Sequence, residues 1–318
     1  MRLLITGGCG FIGSNFIRYL LGHNKDIKIV NLDKLTYAGN PENLRDIEHD
    51  PRYRFIKGDI CDRSQVREAV EGCDAVINFA AESHVDRSIA RADAFVRTGV
   101  IGVQVLLDIS RKAGVPRFIQ ISTDEVYGSI REGVFTEESP LNPSSPYSAS
   151  KAAGDLLALS YHKTFGMPVI ITRSSNNYGP YQYPEKLITL FITNCFEGKT
   201  LPLYGDGANV REWIHVLDNC RAIELVLEKG VPGEVYNISS GKELSNSEIA
   251  RAIVRTIEVP ESFITPVTDR PGHDFRYAMD CAKIAGLGFS PRIDFKTGLE
   301  ETILWYRDNP KWWKPLKR

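Results

Sequence analysis

The chain of 318 residues has few of the features that mark specialised protein classes. Its formal net charge is −1, so no overall basic field points to nucleic acid as a partner. It has no apolar run long enough to cross a membrane. Its short apolar start enters a glycine motif at once, which is not typical of a signal peptide. It also lacks low-complexity segments and repeats of fixed period, so fibrous and solenoid architectures are excluded.

Cysteine is scarce as well. The six cysteines are far apart, without the close spacing of zinc ligands, and no histidine cluster accompanies them. Scattered thiols favour a reduced, cytoplasmic protein without a bound metal. The composition itself, 42% hydrophobic and 25% charged, is that of a globular protein able to bury a substantial core.

Short apolar runs alternate with segments of helical spacing through the first half of the chain. Several runs are nearly continuous in Val, Ile, Leu and Phe, which is typical of strands covered on both faces of a parallel sheet. The pattern predicts an α/β fold with a Rossmann-type doubly wound parallel sheet. The predicted strands are 3–6, 28–33, 54–60, 75–81, 117–122 and 169–173, and the predicted helices between them include 11–21, 64–71 and 92–112.

The rhythm changes after about residue 176, where prolines and glycines indicate irregular structure. A helix at 216–228 and a strand at 234–238 restore it, and Ser245 with Glu248 predicts a capping box at another helix. We therefore expect a Rossmann domain of residues 1–175 with returning segments at about 212–240. Residues 176–211 and 241–318 should form a smaller C-terminal lobe over the carboxyl ends of the strands, where open α/β sheets bind ligands.

A glycine motif follows the first predicted strand and opens the first helix. Gly7, Gly10 and Gly13 have the spacing needed for a tight turn around a pyrophosphate, which would rest on the helix N-terminus. Asp33 ends the second strand and should bind the adenine ribose, which favours NAD over NADP, although Lys34 softens that preference. Further cofactor contacts are expected at Phe11, Ile12, Lys34, Thr36, Asp59, Ile60, Ala80, Ala81, Thr98 and Ser122.

Tyr147 and Lys151 stand four residues apart on a predicted helix, so they share one face. An ammonium beside a phenol lowers the tyrosine pKa toward working pH, so Tyr147 can take a hydroxyl proton while NAD takes a hydride. Lys151 can also bind the nicotinamide ribose. With the glycine motif, this pair resembles the short-chain dehydrogenases/reductases of the extended type.

A second motif narrows the resemblance. Thr123-Asp124-Glu125 follows a strand at a position where sugar-nucleotide epimerases usually carry small hydroxyl residues, and the acidic pair is similar to that of dTDP-glucose 4,6-dehydratases. The resemblance extends nearly end to end. It includes Glu-Ser-His-Val-Asp-Arg-Ser at 82–88, Ser-Asn-Asn-Tyr-Gly-Pro-Tyr at 175–181, Pro-Glu-Lys-Leu-Ile at 184–188 and Asp-Arg-Pro-Gly-His-Asp at 269–274.

The resemblance implies a reaction and a role for each acid. Oxidation of the sugar at C4 acidifies the C5 proton, which Glu125 would remove, while Asp124 would protonate the departing C6 hydroxyl. Two close carboxyls push their pKa values apart, so one stays protonated while the other is ionised. Thr123 would bind the C4 oxygen beside Tyr147, and the hydride would return to C6.

The resemblance also implies a substrate site and a partner. Arg211 and Arg270 match phosphate-binding positions, where the guanidinium fork suits phosphate oxygens. Family members are usually homodimers joined through two helices, which here are 92–112 and 147–165. The remaining substrate contacts are expected at Ser83, His84, Asn176, Lys186, Leu187, Pro202, Tyr204, Asn246 and His273.

Few residues depart from the family pattern. Cys9 replaces a usual alanine, and residues 238–241 replace a more glycine-rich turn. Gly99 follows Thr98 where asparagine is usual, and the missing side chain is expected to loosen the support around Tyr147 and Lys151.

Other functions stay open at this point. A sugar-nucleotide 4-epimerase disagrees with the acidic pair. A UDP-sugar 4,6-dehydratase is harder to exclude, because thymine and uracil differ by one methyl, worth about 1–3 kcal/mol in an apolar pocket. A non-catalytic NAD-binding module would have no need for the intact Tyr147, Lys151, Asp124 and Glu125.

Overall fold

The structure is a computed structural model and describes residues 1–269 and 272–317. Its strands are β1 (Arg2–Thr6), β2 (Lys28–Asp33), β3 (Tyr53–Lys57), β4 (Ala75–Asn78), β5 (Phe118–Thr123), β6 (Val169–Ser174), β7 (Asn176–Tyr178), β8 (Leu201–Tyr204), β9 (Val210–His215), β10 (Val235–Ile238), β11 (Glu243–Ser245) and β12 (Ile264–Val267). Its α-helices are α1 (Phe11–His23), α2 (Arg63–Val70), α3 (Val85–Ala90), α4 (Asp93–Val96), α5 (Val103–Lys112), α6 (Pro146–Phe165), α7 (Leu187–Phe196), α8 (Val216–Lys229), α9 (Asn246–Ile257), α10 (Ala282–Gly286), α11 (Phe295–Asp308) and α12 (Pro310–Trp313).

Seven strands form one parallel sheet in the order β10-β6-β5-β4-β1-β2-β3. From β1 the chain adds β2 and β3 toward one edge of the sheet. From β4 it adds β5, β6 and β10 toward the other edge, so the strand order reverses between β1 and β4. The connections on either side of such a switch point leave a crevice at the carboxyl ends of the strands, where ligands bind. The predicted Rossmann-type doubly wound sheet is confirmed.

Both faces of the sheet are covered, which explains the continuous apolar runs. Along β1, Leu3 and Ile5 pack into the hydrophobic core that also contains residues of α1 and α8, whereas Leu4 packs into the core on the opposite face with α2 and α5. All three side chains are fully buried. A strand with two buried faces needs apolar residues at every position rather than at alternate ones.

The C-terminal part of the chain builds a separate third core. Phe191 of α7, Ile253 of α9 and Leu299 of α11 belong to it. Two small sheets, β11-β9-β7 and β12-β8, lie in the same part of the chain. Between β9 and β11 the chain returns to the main sheet. There α8 packs against α1, and β10 pairs with β6.

Some element boundaries differ from the sequence expectation. The predicted helix at 92–112 is divided into α4 and α5 by a π-helical segment, Arg97–Gly102. The predicted strand at 54–60 ends at Lys57, at the edge of the sheet. The capping box of α9 is confirmed, since Ser245 Oγ accepts from the Glu248 amide at 3.2 Å and Glu248 accepts from the Ser245 amide at 2.7 Å. Within the described ranges, every helix is too short or too polar for a transmembrane span.

Candidate active site

The glycine loop between β1 and α1 is shaped to hold a dinucleotide. Gly7 has φ +69°, and a Cβ on it would lie 2.7 Å from the Ala80 backbone. A Cβ on Gly13 would lie 2.5 Å from the Gly7 carbonyl oxygen. Gly10 precedes α1 and provides no side-chain cap, so the first amides of the helix keep their hydrogens for a ligand. These features fit a pyrophosphate placed against the loop.

Asp33 at the end of β2 ties the cofactor loop to the sheet. Its carboxylate accepts hydrogen bonds from the Cys9 amide at 2.9 Å and the Leu35 amide at 2.8 Å. Burial raises the Asp33 pKa, and these two backbone donors oppose that rise. Lys34 is paired with Asp59 at 2.8 Å, so its charge is partly balanced. A buried carboxylate at this position disfavours a 2′-phosphate, as the sequence predicts.

One cavity joins this loop to the carboxyl ends of β5 and β6. It contains every residue that the sequence associates with the cofactor and every residue that it associates with catalysis. These are Gly7, Gly10, Phe11, Ile12, Gly13, Asp33, Lys34, Thr36, Asp59, Ile60, Ala80, Ala81, Thr98, Ser122, Thr123, Asp124, Glu125, Tyr147 and Lys151.

The same cavity contains residues that the sequence reasoning missed. Three of them carry buried oxygens that have no hydrogen-bond partner within the described part of the chain, namely Ser175 Oγ, Asn177 Oδ1 and Gln182 Oε1. Such atoms suit a ligand that brings its own donors. Ser175 directly follows β6, and this position was the available signal, because strand ends of a parallel sheet line the binding crevice; Asn177 lies in β7 and Gln182 lies beyond it. The other missed lining residues are Leu32, Ala38, Gly39, Gly58, Phe79, Glu82, Ile121, Ser174 and Tyr183.

The end of β5 presents the acidic pair. Thr123 Oγ1 donates to Asp124 Oδ1 at 2.9 Å and accepts from the Glu125 amide at 3.3 Å, which caps the short 3-10 turn Asp124–Tyr127. Tyr147 lies in the first turn of α6, and Lys151 lies one turn later. The Lys151 ammonium donates to the Ile121 carbonyl of β5 at 2.5 Å, which anchors the helix start to the strand end.

Asp124 has the properties of a general acid. Its side chain is 2% exposed, and Oδ2 has no hydrogen-bond partner among the described residues. Burial and the neighbouring Glu125 carboxylate raise the Asp124 pKa to about 8. The buried acid beside a second carboxyl is the arrangement that separates a general acid from a general base.

The expected lowering of the Tyr147 pKa is wrong. Burial raises the pKa of this phenol well above its ordinary value, and the charges of Glu125 and Asp124 add to the rise. Burial also lowers the pKa of Lys151 to about 8. The sequence argument counted the ammonium and left out the desolvation of the phenol and the two carboxylates that face it.

Two of the predicted substrate contacts reach the cavity from the C-terminal part of the chain. Asn176 begins β7, and its buried Oδ1 has no partner within the described residues. Lys186 precedes α7, which begins at Leu187, and its ammonium donates to the Ser83 carbonyl. Ser83 itself lines the cavity, whereas the neighbouring His84 caps α3 through the Arg87 amide at 3.4 Å.

The other predicted contacts that the structure describes do not line this cavity, and most of them lie around β8 and β9. Arg211 is buried rather than a surface charge, and it donates to the Asp274 carbonyl at 2.8 Å and to the Phe275 carbonyl at 3.2 Å. The His273 ring lies 2.7 Å from Asp269 and packs edge-on against Tyr204. Pro202 and Tyr204 belong to β8, Asn246 is the first residue of α9, and Arg270 lies outside the described residues.

Gly99 does not leave the gap that its sequence position suggests. A Cβ at this site would lie 3.0 Å from the Ser150 Cβ and Oγ atoms, because the π-helical segment packs directly on α6. A Cβ on Gly154 would similarly lie 2.9 Å from the Gly99 carbonyl oxygen. Close backbone packing takes the place of the side chain here, and the expected loosening around Tyr147 and Lys151 stays a prediction.

The chain is similar to known proteins in sequence and in structure. The family model described as GDP-mannose 4,6 dehydratase matches residues 4–302. The dTDP-glucose 4,6-dehydratase of Streptomyces niveus is 55% identical over 100% of this chain and 96% of its own length. The crystal structure of DesIV, a dTDP-glucose 4,6-dehydratase from Streptomyces venezuelae with NAD bound, superposes with a TM-score of 0.98 at 54% identity and 100% coverage of both chains.

Epimerases are more distant from this chain. The UDP-glucose 4-epimerase of Thermus thermophilus, solved with NAD, has a TM-score of 0.89 at 28% identity, with 97% of this chain and 100% of that one covered. The fold is thus common to both groups, whereas the acidic pair at the end of β5 is the feature that the sequence assigns to the dehydratases. The chain belongs to the dTDP-glucose 4,6-dehydratases, within the extended short-chain dehydrogenases/reductases.

Proposed function

We propose that this protein removes water from dTDP-glucose and forms dTDP-4-dehydro-6-deoxyglucose. The observation that carries the proposal is the buried Asp124 beside Glu125 at the end of β5, in the same cavity as Tyr147. An epimerase needs a hydroxyl and a phenol at this point, but it has no proton to deliver to a departing hydroxyl group. A pair of acids supplies what dehydration needs, which is a base at C5 and an acid at C6.

Tyr147 begins the reaction by taking the proton of the sugar C4 hydroxyl, with Thr123 holding the same oxygen. Bound NAD supplies the hydride chemistry, since it accepts two electrons with a proton from C4 and gives them back to C6. The Lys151 ammonium lies under the start of α6 and stabilises negative charge as the phenol loses its proton. Burial and the two carboxylates oppose that loss, because they raise the Tyr147 pKa.

Glu125 then takes the C5 proton, which the new C4 ketone has made acidic. Asp124 gives its proton to the C6 oxygen, the C6–O bond breaks and water departs. The C5–C6 double bond accepts the hydride at C6 and a proton at C5, so the sum of the steps is the loss of one water. Asp124 must start protonated, which its raised pKa provides near neutral pH.

The nucleotide half of the substrate is proposed to lie toward Arg211, His273 and Tyr204. Arg211 would exchange one of its carbonyl acceptors for phosphate oxygens, which are stronger acceptors because they are charged. Lys186 and Asn176 would hold the segment between the sugar and the phosphates. In this division, the Rossmann domain of residues 1–175 and about 212–240 carries the cofactor, and the smaller lobe carries the nucleotide.

Mass spectrometry after incubation of the purified protein with dTDP-glucose, UDP-glucose and UDP-N-acetylglucosamine tests the proposal. We expect loss of one water from dTDP-glucose alone. Loss from a UDP sugar instead would keep the mechanism and overturn the substrate. Sugar epimerisation without a change in mass would contradict the roles of the acidic pair, and no reaction at all would favour an NAD-binding protein without turnover.

We also propose a cytoplasmic homodimer. All six cysteines carry free thiols, in keeping with a reducing compartment. The two helical regions expected at the interface expose Val96, Ile101 and Leu156, each about half accessible in the single chain. Sedimentation equilibrium should give twice 35.6 kDa, and Ile101→Asp should shift it toward the monomer. Leu304→Glu, an equally exposed leucine on α11, is the control, and a lone 35.6 kDa species for the unmodified protein would contradict the dimer.

A further inference from the structure

A buried polar network lies directly beneath the reactive pair of α6. Asp155 follows Lys151 by one helical turn, so both side chains are on the same face, and both are buried. Asp155 Oδ2 accepts hydrogen bonds from Ser122 Oγ of β5 and from Arg173 Nε of β6, each at 3.0 Å. Its other oxygen, Oδ1, has no hydrogen-bond partner among the described residues. The Oδ1 atom of Asp155 can therefore interact with a further positively charged group.

The network continues away from the active site and fixes the position of Arg173. Arg173 Nη1 donates to the Tyr127 hydroxyl at 2.8 Å, and its guanidinium also lies over the Tyr127 ring. The Tyr127 hydroxyl donates in turn to Asn237 Oδ1 of β10 at 2.8 Å. These side chains are all at most 2% exposed. A carboxylate held by two donors on two neighbouring strands has little freedom to turn, so its charge stays at one place relative to α6.

We propose that Asp155 is a positioning residue for the reaction, whose buried carboxylate keeps the Lys151 ammonium charged beneath Tyr147. Arg173 and Ser122 hold that carboxylate in place. This inference rests on the roles proposed above for Lys151 and Tyr147. It differs from them because Asp155 does not line the ligand cavity and acts only through Lys151.

The charges around Lys151 support this role. Burial opposes the ammonium and lowers its pKa to about 8, and the Asp155 charge is what counteracts burial. Burial raises the pKa of Asp155, and Arg173, Lys151 and Ser122 oppose that rise and favour its ionised form. The other charged or titratable groups around this cluster are Asp124 and Glu125 after β5, Tyr147 on α6, Tyr127 after β5, and Glu137, which acts on Tyr127.

The first test measures the free energy of unfolding of ligand-free protein across pH, for wild type and Asp155→Asn. Without the carboxylate the Lys151 pKa falls further, so at neutral pH the unfolded chain binds one proton more than the folded one. The variant should therefore be least stable relative to wild type at about pH 6, and the gap should shrink toward about pH 9, where Lys151 is neutral in both. Thr172→Val is the matched control, since this neighbouring β6 residue is equally buried and uncharged, and its curve should run parallel to wild type.

The second test measures kcat against pH for the same proteins. The ratio of wild-type to Asp155→Asn kcat cancels the titration of Asp124, which both proteins share. If the substitution displaces the Lys151 pKa by one unit, the ratio should rise about tenfold between about pH 6 and about pH 9. Asp155→Glu, which restores a carboxylate, should bring the ratio back toward its low-pH value at every pH.

A constant stability gap together with a constant kcat ratio would overturn the proposal, because a merely structural role lowers both quantities equally at every pH. If Asp155→Asn does not fold, Arg173→Gln carries the test. It removes the strongest partner that holds Asp155 in its ionised form, so the ratio should change with pH in the same sense as for Asp155→Asn, and an unchanged ratio overturns the proposal. The unfolding test needs no substrate, so a failure of the proposed dehydration would not be mistaken for a failure of this inference.

Discussion

The two halves of the site differ in how they are built. Most of the cofactor and reactive residues stand after β1, β2, β3, β4 and β5 or in the first two turns of a helix, and all of them line one cavity. The nucleotide residues stand on loops and short strands after residue 176, and most of them lie outside that cavity. A parallel sheet forces its strand ends together, whereas loop residues meet only when several separate segments fold around the ligand. The first half should therefore be rigid and sensitive to single changes, and the second half more tolerant.

The largest expected effect on kcat comes from a substitution of Tyr147, among the cofactor and reactive residues. Tyr147→Phe removes the only group in the proposed mechanism that takes the C4 hydroxyl proton, so we expect kcat to fall by at least about 10³-fold. Product formation from dTDP-glucose, followed by mass spectrometry, measures it. Tyr161→Phe removes a phenol from the same helix, far from the reaction, and should keep near-normal turnover. Comparable turnover in the two variants would refute the role of Tyr147.

Substitution of both acids should block a later step of the reaction, the loss of water. With Asp124→Asn and Glu125→Gln together, oxidation at C4 continues while water loss slows by about 10²–10⁴-fold, since both proton transfers are lost. Reduced cofactor should then accumulate on the enzyme, visible as absorbance near 340 nm. Turnover at the normal rate, or a block before any reduced cofactor forms, would contradict the assignment of the two carboxyls.

The loop-built half should respond in KM rather than in kcat. Arg211→Lys keeps a positive charge but loses the planar fork, and hydrogen bonds to charged groups contribute about 1.5–3 kcal/mol each. We therefore expect KM for dTDP-glucose to rise about tenfold to a hundredfold with kcat nearly unchanged. Arg276→Lys is the control, because this neighbouring arginine is paired with Glu243. A fall in kcat with unchanged KM would place Arg211 with the reactive groups instead.

The dependence of kcat on pH tests the cofactor and reactive residues separately from the nucleotide residues, because Asp124 belongs to the first group. Asp124 has a folded pKa raised to about 8, so the proton that it donates is present below that pH and is lost above it. With saturating dTDP-glucose, loss of this proton alone should lower kcat about tenfold for each pH unit above this value, and loss of the Lys151 charge makes the fall steeper. Asp124→Asn should remove the part of the fall that comes from Asp124, along with most of the rate, and leave the part that comes from Lys151. A kcat that stays level up to about pH 10 would show that Asp124 is not the proton donor.

The same difference explains how much of the molecule could be predicted. The fold, the glycine loop and the strand-end residues follow from local patterns, since Gly7, Asp33 and Asp124 each stand next to a recognisable strand. Ser175 was missed although it directly follows β6, because small polar residues after a strand are common everywhere, and Asn177 and Gln182 lie in or beyond β7, where no such signal marks them. The burial of Arg211 and the raised pKa of Tyr147 depend on groups distant in sequence, which no local pattern encodes. Asp155 was missed for the same reason, because its partners Ser122 and Arg173 come from two other strands.

The smallest expected effect concerns packing behind the rigid half. Gly99→Ala places a methyl group 3.0 Å from Ser150, which is tighter than ordinary contact, so the π-helical segment or α6 must shift and stability should fall by about 1–3 kcal/mol. Gly22→Ala in α1 is the matched control, since no atom lies within 4 Å of the added group and a helical alanine should stabilise by up to about 1 kcal/mol. Thermal unfolding of both variants measures the difference. Equal and small shifts would mean that α6 can move away from Gly99, and the support of Tyr147 and Lys151 would then be softer than the close backbone packing implies.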